Sequence, residues 1–154
     1  MKSTWIALLE AKYKNLKAPN YSFVLDEIGK NPYAKVVEDI RRGFSINEDT
    51  DENTDISFGY VLFLAPGRDF LLRISMIAPY AFLAKIKERG STSQPIVREN
   101  TQDAMELDVL KILESHGISM FDEKSLKIGV PDSGKDSKSL YQWMFVDEEI
   151  PPWS

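Results

Sequence analysis

The chain contains no cysteine among its 154 residues. Disulfides, thiolate metal sites and cysteine nucleophiles are therefore excluded, and nothing points to an oxidising compartment. Histidine is almost as scarce, His116 being the only one. As a general base it would need a nucleophile and an orienting group beside it, and the sequence marks neither. Next to Gly117 it is expected to satisfy carbonyls at a helix end. No apolar run approaches the roughly 20 residues of a membrane helix. The N-terminal stretch is broken by Glu10 and Lys12 and lacks the apolar core and small-residue cleavage site of a secretory signal. These absences predict a cytoplasmic protein that has no cofactor and no metal and is not an enzyme.

What is present fits one domain over residues 1–154, since typical domains run roughly 100–150 residues. The chain is 43% hydrophobic, with eight Phe, six Tyr and three Trp to supply large core pieces. Its net charge is −5, unevenly laid out. Residues 1–42 carry eight basic and five acidic side chains, whereas 43–67 carry five acidic and no basic ones. Residues 68–101 return to six basic against three acidic, and 102–154 fall to five against eleven. Acidic blocks repel phosphate backbones, which disfavours direct nucleic-acid binding and favours a basic partner.

The pattern predicts an α+β fold, an antiparallel sheet built around a central hairpin with helices packed on it. Ser3 is placed to cap a first helix through Trp5, Leu8, Leu9, Tyr13 and Leu16, ended by Pro19. Tyr21, Phe23 and Leu25 alternate and suggest a short strand to Ile28. Asn31 and Pro32 open a second helix whose stripe is Tyr33, Val36, Val37 and Ile40, with Gly43 as a left-handed stop. Residues 56–65 and 69–78 are the clearest strands and flank Pro66-Gly67, which suits a type II turn. Pro79 is expected to start a third helix through Tyr80, Leu83 and Ile86, ended by Gly90. Thr101 is expected to cap a fourth, lined by Met105, Val109, Leu110 and Leu113. Leu126, Ile128 and Val130 alternate as a strand, and Leu140 to Val146 fits either strand or short helix.

Two motifs imitate ligand sites. Gly129 to Ser137 reproduces most of a phosphate-binding loop, but Asp136 replaces the magnesium-binding hydroxyl and Asp132 puts a carboxylate where a phosphate must sit. A hairpin loop between two strands is the simpler expectation. Asp49, Asp51, Asn53 and Asp55 have the spacing of a calcium loop. Thr54 stands where that loop needs glycine, and Tyr60 where it needs a bidentate glutamate, so a flexible acidic loop is expected instead.

The end of the chain sets Trp143, Phe145 and Trp153 around Asp147, Glu148 and Glu149. Such aromatics either close a core or form the aromatic and acidic surface common at protein interfaces. A late helix from Met105 to His116, followed by "LKIGVPD" and "LYQWMFVDEEIPPW", resembles bacterial immunity proteins of polymorphic and contact-dependent toxin systems. The resemblance covers the last third of the chain. It implies a cytoplasmic inhibitor without catalytic residues that occludes a cognate toxin domain, often a basic nuclease, and it carries no site residues over. The expected partner is a basic toxin domain, with neither nucleic acid nor membrane contacted directly. The candidate contacts are Glu48, Asp49, Asp51, Glu52 and Asp55, then Asp147, Glu148 and Glu149, with Trp143 or Trp153 as anchors. The alternative is an adaptor or assembly subunit of a phage or secretion apparatus.

Overall fold

The hairpin organises the molecule. In the computed structural model, which describes residues 4–130, 138–148 and 150–153, β2 (Ser57–Ala65) and β3 (Arg68–Ser75) pair antiparallel from Ser57↔Ser75 to Ala65↔Arg68. Gly67 closes the turn at φ 74°, a conformation that costs glycine nothing and strains any residue with a Cβ. The sheet runs β1-β2-β3-β4-β5, with β1 (Ser45–Glu48) and β4 (Tyr80–Lys85) antiparallel to their neighbours and the two-residue β5 (Ser119–Met120) parallel to β4. An α+β fold on a mainly antiparallel sheet is what the alternating pattern predicts.

Alternation sends Phe58, Tyr60, Leu62, Phe70, Leu72 and Ile74 to one face, where all are buried. Helices α3 (Ala34–Arg41) and α4 (Ala104–Ser115) cover this face through Val36, Ile40, Val109 and Leu113. The other face is covered by α1 (Thr4–Tyr13), α6 (Leu140–Met144) and the segment after it, which bring Leu9, Tyr13, Trp143 and Phe145 onto Phe82. The two remaining helices, α2 (Phe23–Lys30) and α5 (Glu123–Leu126), fill the margins.

Three elements differ from the sequence expectation. Residues 21–28 are not a strand: Asn20 accepts a hydrogen bond from the Ser22 N–H at 2.9 Å and turns the chain into α2. Asn31 ends that helix in the left-handed region at φ 46°, its N–H bonded to the Glu27 carbonyl, so it is a C-cap and not the start of α3. In this helix Val24 points inward and Leu25 outward. Residues 80–85 are strand β4, not a helix. Ala81, Phe82, Leu83 and Ala84 are all fully buried, and a strand covered on both faces has the continuous apolar run that imitates a helix. Residues 123–126 form α5 because the Asp122 carboxylate accepts from the Ser125 N–H at 2.8 Å. Past it only Gly129 bridges to Ser139, so helices and not strands flank the 129–137 motif, whose residues 131–137 lie outside the described residues.

Smaller corrections concern caps. Ser3 lies outside the described residues, and α1 stops at Tyr13, before Pro19. Asp103, not Thr101, caps α4, accepting from the Met105 and Glu106 N–H groups at 3.0 Å. Gly43 has no positive φ; among the described residues the left-handed glycines are Gly67, Gly90 and Gly117. His116 spends its ring on Asp39 of α3, 2.6 Å away, and not on helix-end carbonyls. No helix among the described residues is long and apolar enough to cross a membrane.

Candidate binding surface

The C-terminal end of α6 has carbonyls with no partner inside the helix. Three hydroxyls from other elements take them. Tyr13 of α1 donates to the Trp143 carbonyl, Ser75 of β3 to that of Met144 at 2.8 Å, and Ser57 of β2 to that of Phe145 at 2.9 Å. The Ile56 N–H also donates to the Phe145 carbonyl, and Asp55 forms an antiparallel bridge with Val146. The segment after α6 is thereby held against the segment before β2. These are the two most acidic stretches of the chain, and the fold puts them side by side.

The loop before β2 is built around a charge pair. Arg73 points to the second face of the sheet, and its Nη1 lies 3.1 Å from an Asp55 carboxylate oxygen. Asp55 is 5% exposed, and its carboxylate also accepts from the Asp51 N–H at 2.9 Å. Thr50 accepts from the Gly59 N–H, and the Asp49 N–H donates to the Gly59 carbonyl, which staples the loop to β2. A Cβ at Gly59 would come within 3.0 Å of the Asp49 carbonyl oxygen and 3.1 Å of Arg73 Nη1, so glycine is what lets the loop close. The loop is thus pinned at both ends, contrary to the expectation of a flexible acidic run. Among the described residues no three acidic or imidazole groups are arranged to hold a metal ion.

Asp49, Asp51 and Glu52 are exposed on this loop, and Asp147 and Glu148 are exposed beside it. Glu52, Asp55 and Asp147 line one cleft of about 530 Å³ together with Tyr21, Val24, Leu25 and Ile56. Lys138 pairs with Asp147 at 3.1 Å while its ammonium sits 4.8 Å from the centre of the Trp143 ring. Burial raises the Tyr21 phenol above its ordinary range, and Asp147 pushes the same way against Lys138. Tyr141, beneath the loop, is pushed up to about 12 by burial, with Arg73 opposing and Glu148 and Asp55 reinforcing the shift.

The remaining candidates fall elsewhere. Glu48 faces a separate recess with Tyr60 and Arg41. Asp55 is a buried structural partner of Arg73 and not a surface charge. Trp143 is 1% exposed, and Trp153 packs edge-on against Phe82 and Tyr141, so both aromatics close the second core. Glu149 lies outside the described residues. The sequence reading missed Tyr21 and Leu25, which are 39% and 63% exposed at the cleft. A helix in place of a strand over 23–30 is the signal that would have put Leu25 outside. Comparison of the chain with protein-family models, with curated proteins and with solved structures gives no match.

Proposed function

We propose that this chain is a non-enzymatic binding protein, an immunity protein that neutralises a cognate bacterial toxin in the cytoplasm by binding it directly. The observation that carries the reading is the convergence of two distant acidic segments on one ordered surface. Asp51, Glu52, Asp147 and Glu148 stand exposed there, and the nearby cations Arg73 and Lys138 are already paired. A surface of this sign accelerates encounter with a basic toxin domain and repels nucleic acid. The adaptor alternative drew on an exposed aromatic tail, and Trp143 and Trp153 supply no such anchor because they are packed inward.

The test is co-expression with the gene immediately upstream, where that gene encodes a toxin, comparing wild type with Asp51→Asn, Glu52→Gln, Asp147→Asn and Glu148→Gln combined. Asp55 is left in place. Wild type is expected to protect the host, and the variant to associate more slowly, on the order of tenfold at low salt. A wild type that neither binds nor protects removes the inhibitor reading.

A further inference from the structure

We infer that the cleft between α2 and the acidic loop is a socket for an apolar side chain that the protein partner carries between basic residues. The inference rests on the inhibitor reading for the partner's sign and deepens it by naming what docks. Helix α2 is held to the core through Val24, while Leu25 on the next position is 63% exposed and its burial is not used by the fold. Tyr21, 39% exposed, is fixed edge-on against Tyr13 with ring centres 5.4 Å apart. Val24 and Ile56 supply apolar lining that is itself buried. This apolar strip faces carboxylates in one concavity.

The charges of the walls select the occupant. Asp55 is neutralised by Arg73 and Asp147 is paired with Lys138, whereas Glu52 has no ion-pair partner among the described residues. An incoming cation therefore finds Glu52 ready, and it competes with Lys138 for Asp147. A second copy of this chain would bring the same carboxylates face to face, so it is a poor occupant. The volume of about 530 Å³ lies within the roughly 300–1,000 Å³ of ordinary ligand sites. A small organic cation seated on the floor would nevertheless leave Leu25 uncovered on the rim. A polypeptide segment covers both, with its apolar side chain against Val24 and Ile56 and its cations at Glu52 and Asp147. That division of labour, a desolvated apolar anchor inside a charged rim, is how protein interfaces concentrate affinity.

The experiment is an amide NMR titration of the full chain with three capped tripeptides at millimolar concentration: Arg-Leu-Arg, Arg-Gly-Arg and Glu-Leu-Glu. Arg-Leu-Arg is expected to give saturable shifts at Tyr21, Leu25, Glu52 and Asp147, with Arg-Gly-Arg weaker by about fivefold, equivalent to about 1 kcal/mol. Glu-Leu-Glu should not saturate. Leu25→Ser should weaken Arg-Leu-Arg about fivefold while leaving the melting temperature in place, and Glu52→Gln should weaken both basic peptides alike. Equal titration by Arg-Leu-Arg and Arg-Gly-Arg, shifts mapping elsewhere, or no shifts at all would overturn the socket. Failure of the inhibitor reading is seen separately: the toxin would go unbound while the peptides still distinguish leucine from glycine. A toxin bound equally well by Leu25→Ser would remove the socket and leave the inhibitor.

Discussion

The two faces of the sheet are buried by different means. On the α3 and α4 side, the contacts are mostly aliphatic, with Val36, Ile40, Leu62, Leu72, Val109 and Leu113 interdigitating, and one hydroxyl, that of Tyr33, donates to the Ser75 carbonyl at 3.3 Å. On the α1 and α6 side the large pieces are rings, Tyr13, Phe82, Tyr141, Trp143 and Phe145. Ser57, Ser75 and Tyr13 tie them down through hydrogen bonds to helix-end carbonyls. Packing alone leaves many arrangements of similar energy, whereas a buried hydroxyl that must reach one carbonyl admits few. The candidate binding surface sits at the edge of this second, hydrogen-bonded face. The difference teaches that both halves bury apolar side chains, while the ring-rich one also fixes placement through hydrogen bonds.

Raising the pH should strike both faces, through Tyr13 and Tyr141 on the ring-rich side and Tyr60 on the aliphatic side. Burial lifts the phenols of Tyr13, Tyr60 and Tyr141 above their ordinary value of 10.0. Each stays protonated in the fold while its unfolded counterpart ionises. The stability this brings is intact below about pH 10 and is lost as pH climbs toward the folded value, by about 1.4 kcal/mol per pH unit for each tyrosine. Tyr141 reaches its limit at about 12. Urea unfolding followed across this range should show a steep decline, and Tyr141→Phe should make it shallower. A flat profile would mean that these phenols are not buried.

Within the acidic loop the comparison narrows to neighbours. Asp55→Ala strands the Arg73 guanidinium, which is 16% exposed, and is expected to cost about 3 kcal/mol, the low end for breaking a buried pair. Glu52→Gln, three positions away and exposed, should stay within about ±0.5 kcal/mol. Equal destabilisation by the two would contradict a loop built around one buried charge.

The smallest effect separates the faces most directly. Tyr13→Phe removes the donor to the buried Trp143 carbonyl and should destabilise by about 1–3 kcal/mol. Tyr60→Phe on the aliphatic side removes a buried hydroxyl that has no hydrogen-bond partner among the described residues, so it should be neutral or stabilising. Chemical denaturation of both variants checks the sign of each. If Tyr60→Phe lost as much stability as Tyr13→Phe, the contrast between the faces would fail.

Much of the aliphatic face was legible in the sequence, because its cues are local. Phe58 to Leu64 and Phe70 to Ile74 alternate across a Pro-Gly turn, and Val109 to Leu113 repeats at helical spacing. The errors at residues 21–28 and 80–85 share one cause: short apolar segments carry no reliable period, and caps or burial on both faces decide them. Each acidic segment was visible singly, but their meeting depends on bonds between residues 69, 88 and 130 positions apart. Asp55 was counted among surface charges because its partner Arg73 lies on β3, distant in the sequence. Leu25 was hidden by the strand reading, which set it on one face with Tyr21 and Phe23.

The bond from Tyr13 to Trp143 also sets a schedule. Closing so long a loop is entropically slow, and no chain can close it before position 143 has been made. At about 5–20 residues per second, α1 emerges from the ribosome and waits on the order of ten seconds for its partner. During that interval the elements between Ala34 and Ser115 are free to assemble the aliphatic layer. Meanwhile Leu9 and Tyr13, both 0% exposed once folded, lack the α6 part of their packing, although Tyr13 can already meet Tyr21 and Phe23. A nascent chain of this protein therefore displays a greasy, unfinished flank until position 143 has been made. That flank is where a chaperone would be expected to hold it.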